Sequence, residues 1–131
     1  MPRCLIIVGF PGSGKSYLGF QLCESSNFIL LDDYNDPELK DLKRASELNL
    51  NVVITDPRMC IGATRIAAIK VLDKLGYEVE FIYFEPDLEA CRANVLRRAK
   101  NGDTRPVNGF QQYLLNNYTI PPNSVVLEVY K

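Results

Sequence analysis

Residues Cys4 to Ser16 read Cys-Leu-Ile-Ile-Val-Gly-Phe-Pro-Gly-Ser-Gly-Lys-Ser, an apolar run of strand length that leads directly into closely spaced glycines. A short apolar run bounded by glycine is typical of a buried β-strand. The residues that follow, Lys15 to Glu24, have the spacing of a helix. The stretch therefore predicts a buried strand, a tight glycine-rich turn and a helix, in that order.

The segment from Gly9 to Ser16 has the spacing G-x-x-x-x-G-K-[ST], which binds nucleotide phosphates when a strand precedes it and a helix follows it. Glycine is needed because backbone N–H groups must point toward the phosphates, with positive φ or without room for a Cβ. The start of the helix adds further N–H groups and its positive dipole end. The alternative is an ordinary glycine-rich turn in which Lys15 and Ser16 are only solvated.

Two side chains of this segment have expected chemical roles. We expect Lys15 to reach the β- and γ-phosphates, and Ser16 to offer its hydroxyl to Mg²⁺. The residues expected to bind the nucleotide are Gly12, Ser13, Gly14, Lys15, Ser16 and Tyr17.

Strand-length apolar runs alternate with helical segments along the whole chain. Such alternation predicts an α/β fold of three layers, with a five-stranded parallel sheet and helices on both faces. Ligands of such folds bind at the carboxyl edge of the sheet, here beside the glycine-rich turn. The strands are predicted at Cys4–Val8, Phe28–Leu31, Val52–Thr55, Val79–Phe84 and Val125–Val129, and the helices at Lys15–Glu24, Pro37–Leu48, Ile61–Leu75, Asp87–Lys100 and about 108–117.

Local signals mark the ends and the buried face of two of these helices. Gly76 is predicted to end the third helix, and Asp87 to cap the start of the fourth. The buried stripe of the third helix is predicted to consist of Ile66, Ile69, Val71, Leu72 and Leu75.

The composition is that of one ordinary globular domain over residues 1–131. A net charge of −1 leaves no positive field to hold long nucleic acid non-specifically. The four cysteines lack metal-binding spacing and the chain has no histidine, so we expect buried thiols in a reducing compartment. Because neither a membrane span nor a signal peptide is evident, we predict a cytoplasmic protein, or one of the host cytoplasm if the chain is viral.

Carboxylates follow two of the predicted strands at the same edge of the sheet. Asp32 and Asp33 follow the second strand, and Asp56 follows the third. One interpretation makes a carboxylate of the first pair a general base for an attacking hydroxyl; the alternative is a solvated turn or helix cap. Asp56 suits an acid that organises Mg²⁺ together with Ser16, and Pro57 after it is equally typical of an Asp-Pro turn.

Basic residues cluster around the end of the fourth predicted helix, in the sequence RANVLRRAKNGDTRPV. Asn, Gly and Pro in the segment 101–106 interrupt the helix, as in a chain segment that can swing. We interpret Arg97 or Arg98, together with Arg105, as a short arginine-rich lid that closes over the nucleotide and stabilises charge on the transferred phosphoryl group. The alternative is a solvated basic helix face.

With these segments in order, the chain resembles the kinase domain of phage-type polynucleotide kinases, within the small phosphate-loop (P-loop) kinases, over nearly its whole length. The segments that carry the resemblance are GFPGSGKS, LDDY, VVITD, GYEVEFIYF and the arginine-rich helix. The resemblance implies that Asp32 activates an acceptor 5′-hydroxyl and that Lys15 and Ser16 serve the phosphates and Mg²⁺. It also implies that Arg97 or Arg98 is the lid arginine.

The acceptor half of this resemblance is altered. Where the family has a basic residue shortly after the DDY element, this chain has Asn35 and then two acidic residues. The third strand is followed by Asp-Pro-Arg in place of the family's D-T-N, and the segment that builds the acceptor groove is shorter. We therefore expect Asp33 and Arg58 to contact the acceptor.

The sequence thus predicts a kinase that uses ATP, or another nucleoside triphosphate, with Mg²⁺ and a hydroxyl acceptor. The expected acceptors are a short nucleic-acid 5′-end, a nucleotide or a small alcohol, because the chain lacks a row of basic residues for gripping a long strand. A nucleoside monophosphate kinase, whose acceptor is a phosphate and needs no general base, is the second hypothesis. A nucleotide-binding protein without useful catalysis is the third.

Overall fold

The computed structural model describes residues 2–10, 12–31, 40–100 and 117–129, in which five strands alternate with helices. The strands are β1 (Arg3–Val8), β2 (Phe28–Leu31), β3 (Asn51–Ile54), β4 (Glu78–Phe84) and β5 (Val126–Leu127). The helices are α1 (Lys15–Ser25), α2 (Lys40–Glu47), α3 (Gly62–Lys74), α4 (Leu88–Lys100) and a one-turn 3₁₀ helix, η1 (Pro57–Cys60). Most of the last predicted helix, at about 108–117, lies outside the described residues.

All neighbouring strands pair in parallel, in the order β2-β3-β1-β4-β5. Strand β1 is central: Cys4 to Ile6 pair with β3, and Arg3 to Val8 pair with β4. This confirms the predicted five-stranded parallel sheet. The chain leaves β1 toward one edge of the sheet and later returns to build the other edge, so the carboxyl end of β1 lies at the crevice where such sheets bind ligands.

The two faces of the sheet bury separate apolar clusters, because side chains alternate between faces along each strand. Leu5 and Ile7 of β1 belong to one cluster, which Leu18 and Leu22 of α1 cover. Cys4, Ile6 and Val8 belong to the other, which contains buried residues of the remaining helices, among them Leu42, Ala68, Leu72 and Cys91. The predicted three-layer arrangement, with helices on both faces, is therefore confirmed.

The buried face of α3 differs from the predicted stripe. Ile66 and Ile69 are 59% and 40% exposed, and the buried residues of the helix are Arg65, Ala68 and Leu72. The predicted stripe was wrong at both isoleucines. It was built from apolar residues alone, on the assumption that the arginine of this helix lies in solvent. Here Arg65 is buried and its guanidinium donates to the carbonyls of Met59 and Cys60, at 2.9 and 3.1 Å.

The predicted helix boundaries on either side of β4 are confirmed. Gly76, with φ 86°, follows the end of α3, and its N–H bonds the carbonyl of Asp73 at 3.0 Å. The Asp87 carboxylate accepts a hydrogen bond from the Ala90 N–H at 3.0 Å and so caps the first turn of α4.

All four cysteines are free thiols. Burial raises the pKa of Cys4 and Cys60 to about 12 and that of Cys91 to about 11. The expectation of buried thiols is confirmed for these three and is wrong for Cys23, which is only half-buried on α1. Such high pKa values keep the three buried thiols protonated and unreactive near neutral pH.

Among the described helices, none combines the length and the apolar composition needed to cross a bilayer.

The difference between the two faces of α3 can be measured by urea unfolding. Leu72→Ala should lower the free energy of unfolding by about 2–5 kcal/mol, because it leaves a cavity in the core. Ile66→Ala should change it by about 0.5 kcal/mol or less, because the side chain is already in water. Equal losses in the two variants would contradict the observed orientation of the helix.

Candidate functional site

The phosphate loop, defined as the described residues of the range 9–16, has the backbone that its glycines predict. Gly12 has φ 87° and Gly14 has φ 106°, a region that residues with a Cβ rarely adopt. Gly14 is the N-cap residue of α1, and within the described residues no side chain caps the first N–H groups of the helix. The first turn of α1 contains no acidic residue. The amino end of α1 therefore meets the electrostatic requirement of an anion site.

Helix α4 packs directly against the tip of this loop. The Asn94 Nδ2 donates to the Gly12 carbonyl at 2.8 Å, and a Cβ at Gly12 would lie only 2.3 Å from the Cys91 carbonyl oxygen. Gly12 is thus required twice, for its positive φ and for the close approach of α4. No sequence motif indicates a role for Asn94, because its contact with Gly12 depends on how α4 packs against the loop.

The Lys15 side chain lies inside the loop. It is only 7% exposed, and its Nζ donates to the Phe10 carbonyl at 2.9 Å. The same carbonyl accepts the Ser13 N–H at 3.0 Å, which closes the turn. Burial raises the pKa of the Cys60 and Cys91 thiols, and the positive charge of Lys15 partly opposes that rise. The Lys15 ammonium is thus engaged by the backbone of its own loop.

Ser13 contributes backbone geometry to the loop. Its hydroxyl is fully buried and has no hydrogen-bond partner within the described parts of the chain. A hydroxyl that is buried in this way does not face a ligand on the open side of the loop. The expected nucleotide contact of Ser13 is thus restricted to its backbone. Of the next residues in α1, Ser16 is half-buried and Tyr17 is 53% exposed.

Asp56 and Arg58, which were expected to bind Mg²⁺ and the acceptor, form an ion pair just beyond β3. The buried Asp56 carboxylate accepts from the Arg58 N–H at 2.9 Å and from Nε at 3.0 Å, and its second oxygen contacts Nη2. Asp56 also caps η1, so the alternative of an Asp-Pro turn describes the local backbone. Either expected role requires that the guanidinium and the carboxylate separate at least in part.

Of the remaining predicted site residues, some lie outside the described part of the chain and others belong to α4. Asp32, Asp33 and Arg105 lie outside the described residues, although Leu31 at the end of β2 pairs with Ile54 at the end of β3. Arg97 and Arg98 belong to α4. Arg97 is exposed and borders a surface groove of about 450 Å³, whose other described lining residues are Asp87, Glu89, Ala90, Ala93 and Asn94.

The residues of the loop fit the polyphosphate of a nucleoside triphosphate. The positive-φ glycines leave a cradle without Cβ atoms, α1 begins there, and Lys15 supplies a positive charge. Ser16 and Asp56 carry oxygen atoms, the ligand type that Mg²⁺ prefers, and the Asp56 oxygens are bonded to Arg58 in the structure. Within the described residues, no group of three or more His, Cys, Asp or Glu side chains is placed to hold a metal ion.

The two demands on Gly12 can be separated by comparison with Gly76, which has nearly the same φ but open space around its Cβ position. Gly76→Ala should cost about 1–2 kcal/mol of unfolding free energy, the penalty of a left-handed backbone alone. Gly12→Ala should cost clearly more, because the new methyl group also collides with the Cys91 carbonyl. Urea unfolding of the two variants measures the difference, and equal losses would show that α4 moves aside without cost.

No family model matches the chain, and no curated protein matches it in sequence. Solved structures are similar to it in fold. A gluconokinase from Sinorhizobium meliloti 1021 has a TM-score of 0.64 at 15% identity, over 99% of this chain and 84% of that one. The Mycobacterium tuberculosis APS kinase, in complex with AMPPNP and APS, has a TM-score of 0.56 at 18% identity, over 97% of this chain and 88% of that one.

A fungal RNA kinase has a TM-score of 0.61 at 12% identity, over 100% of this chain and 39% of that one. These identities are too low to transfer an activity, and they do not single out the phage polynucleotide kinases. Together with the strand order and the glycine-rich loop after β1, they show that the chain has the P-loop NTPase fold, in a form similar to that of P-loop kinases.

Proposed function

We propose that this protein is an ATP- and Mg²⁺-dependent kinase that transfers the γ-phosphoryl group to a hydroxyl acceptor. The observation that carries the proposal is the phosphate loop itself, with positive φ at Gly12 and Gly14 and the Lys15 ammonium held on the Phe10 carbonyl. The fold is shared with a gluconokinase, an APS kinase bound to AMPPNP and an RNA kinase, which supports a phosphotransferase.

In this proposal the loop binds the polyphosphate, and Lys15 exchanges the Phe10 carbonyl for phosphate oxygens. That exchange replaces a neutral acceptor by a charged one, and hydrogen bonds to charged groups are the stronger kind. Ser16 and Asp56 would hold Mg²⁺, which neutralises charge on the phosphates when it is bound. Arg97 or Arg98, with Arg105, would complete the positive environment of the transferred group.

For the acceptor, we propose that Asp32 accepts the proton of the attacking hydroxyl while the oxygen bonds to the γ-phosphorus and the bond to the β-phosphate oxygen breaks. The products are then ADP and the phosphorylated acceptor. Asp33 and Arg58 are proposed to contact the acceptor, whose recognition would extend over one or two nucleotides at most. The low net charge supports this, because a long strand would need many phosphate contacts.

The proposal predicts that purified protein transfers labelled γ-phosphate from ATP to at least one member of a panel of 5′-hydroxyl oligonucleotides, nucleosides and small alcohols. Lys15→Met should reduce the turnover by at least about a hundredfold, because it removes the charge that serves the transition state. Methionine is the suitable replacement because Lys15 is buried, and alanine would leave a cavity.

Nucleoside monophosphates in the same panel test the alternative in which the acceptor is a phosphate. Transfer to monophosphates alone would replace the hydroxyl kinase by a monophosphate kinase. Tight ATP binding without transfer to any acceptor would leave only a nucleotide-binding protein. Undiminished turnover in a folded Lys15→Met variant would contradict a kinase at this loop.

The pair of Asp56 and Arg58 predicts an unusual response to magnesium. Arg58→Met removes the guanidinium that competes for the Asp56 carboxylate, so the Mg²⁺ concentration for half-maximal turnover should fall roughly three- to tenfold. A raised KM for the acceptor in the same variant would support the acceptor contact of Arg58. Arg44→Met, an exposed site on α2, serves as the control. A requirement for more Mg²⁺ in Arg58→Met would contradict the metal role of Asp56.

A further inference from the structure

A segment far along the chain packs against the base of the phosphate loop. The Tyr118 hydroxyl lies 2.5 Å from the Phe84 carbonyl oxygen and 3.4 Å from that of Val8, which are the last residues of β4 and β1. The Tyr118 and Phe10 rings pack edge to face, with centroids 5.2 Å apart and planes at 87°. One tyrosine thus contacts the ends of two neighbouring strands and the first turn of the loop.

Phe10 connects Tyr118 to the phosphate loop, because its ring contacts Tyr118 and its carbonyl bonds Lys15. Its side chain is fully buried, and its carbonyl accepts both the Ser13 N–H and the Lys15 Nζ. A displacement of the Phe10 ring would shift that carbonyl, because ring and carbonyl belong to one short, tightly turned segment. The position of the Lys15 ammonium therefore depends on what packs against Phe10.

A buried arginine fixes the segment that contains Tyr118. The Arg65 Nη2 donates to the Thr119 Oγ1 at 2.7 Å, while Nη1 bonds the carbonyls of Met59 and Cys60 and the guanidinium lies 5.3 Å from the Tyr83 ring centroid. The Thr119 N–H also reaches the Cys60 carbonyl at 3.4 Å, and Tyr118 forms an isolated bridge with Ile61.

The burial of Arg65 is itself informative. It is only 6% exposed, and within the described residues it forms no ion pair with a carboxylate. A buried cation is costly unless its donors find acceptors, and here two backbone carbonyls and one hydroxyl accept from the guanidinium while a ring face lies beside it. The Arg65 contacts hold η1, α3 and residue 119 together behind the loop, and the proposed phosphoryl transfer does not use this charge directly.

We propose that Tyr118 is a positioning residue of the nucleotide site: held from behind by Arg65 and Thr119, it fixes Phe10 and so sets the position from which Lys15 meets the polyphosphate. The inference rests on the proposed function, since it assumes that Lys15 binds phosphate. It assigns to the segment 117–119 a role in ligand affinity that no motif of the sequence indicates. Burial raises the pKa of the Tyr118 hydroxyl well above its ordinary value, so it remains a donor throughout the neutral range.

The test separates ligand affinity from stability by means of a matched tyrosine. Tyr118→Phe removes the hydroxyl and keeps the ring on Phe10, whereas Tyr118→Leu removes both contacts. Tyr77→Phe is the control: the Tyr77 hydroxyl donates to the Leu50 carbonyl at 3.2 Å, a residue that directly precedes the amino end of β3. Each Tyr→Phe change removes one part-buried hydroxyl that donates to backbone carbonyl oxygen, so both should lower the urea midpoint by similar amounts.

Calorimetric titration with ATP and with inorganic tripolyphosphate is the readout, because neither measurement requires phosphoryl transfer. Tyr118→Phe should weaken both ligands about three- to tenfold, and Tyr118→Leu should weaken them more. Tyr77→Phe should bind both as the wild type does. Thr119→Val should act in the same direction as Tyr118→Phe, and Thr119→Ser, which keeps the acceptor for Arg65, should restore wild-type affinity.

The possible failures are distinguishable. Wild-type ligand affinity in both Tyr118 variants would overturn the positioning role and leave the proposed kinase intact. Equal losses of ligand affinity in Tyr118→Phe and Tyr77→Phe would do the same. An absence of tripolyphosphate binding by the folded wild-type chain would contradict the proposed function, and the positioning role with it. Affinity loss confined to the Tyr118 and Thr119→Val variants, with no kinase activity in the wild type, would support the positioning role and overturn catalysis.

Discussion

The contact between α4 and the tip of the phosphate loop is the constraint on which the rest of the site depends. At Gly12 a backbone with positive φ meets the backbone of another helix, and there is no space for a single methyl group between them. Asn94 secures the contact by its hydrogen bond to the Gly12 carbonyl. Helix α4, which shapes the anion cradle at Gly12, also contains Arg97 and Arg98, the two candidates for the lid arginine.

The buried charges around the site are each bonded to other groups of the protein. Lys15 bonds a carbonyl of its own loop, Asp56 bonds Arg58 two residues away, and Arg65 bonds two carbonyls and a hydroxyl. Such pairing limits the cost of burying a charge before any substrate is present. In the proposed function, binding of a polyphosphate and Mg²⁺ would exchange some of these internal contacts of Lys15 and Asp56 for contacts to charged ligands.

Much of the fold follows from patterns that are local in the sequence. The apolar runs place β1, β2, β3 and β4 within a residue of their observed bounds, and Gly76 and Asp87 mark helix ends as local chemistry requires. The failures have a physical cause. The outward turn of Ile66 and Ile69 follows from the burial of Arg65, which is possible only because η1 and Thr119 supply acceptors from elsewhere in the chain.

The sequence by itself determined the phosphate loop, because its glycines, lysine and serine act through backbone conformation and neighbours close in the chain. Only the tertiary structure decided what surrounds that loop: Asn94 on Gly12, Tyr118 on Phe10, and Arg58 on the carboxylate expected to organise magnesium. Even the last pair, two residues apart, depends on the turn that η1 makes directly after Asp56. Contacts between distant segments depend on how helices dock on the sheet, and no residue spacing encodes that docking.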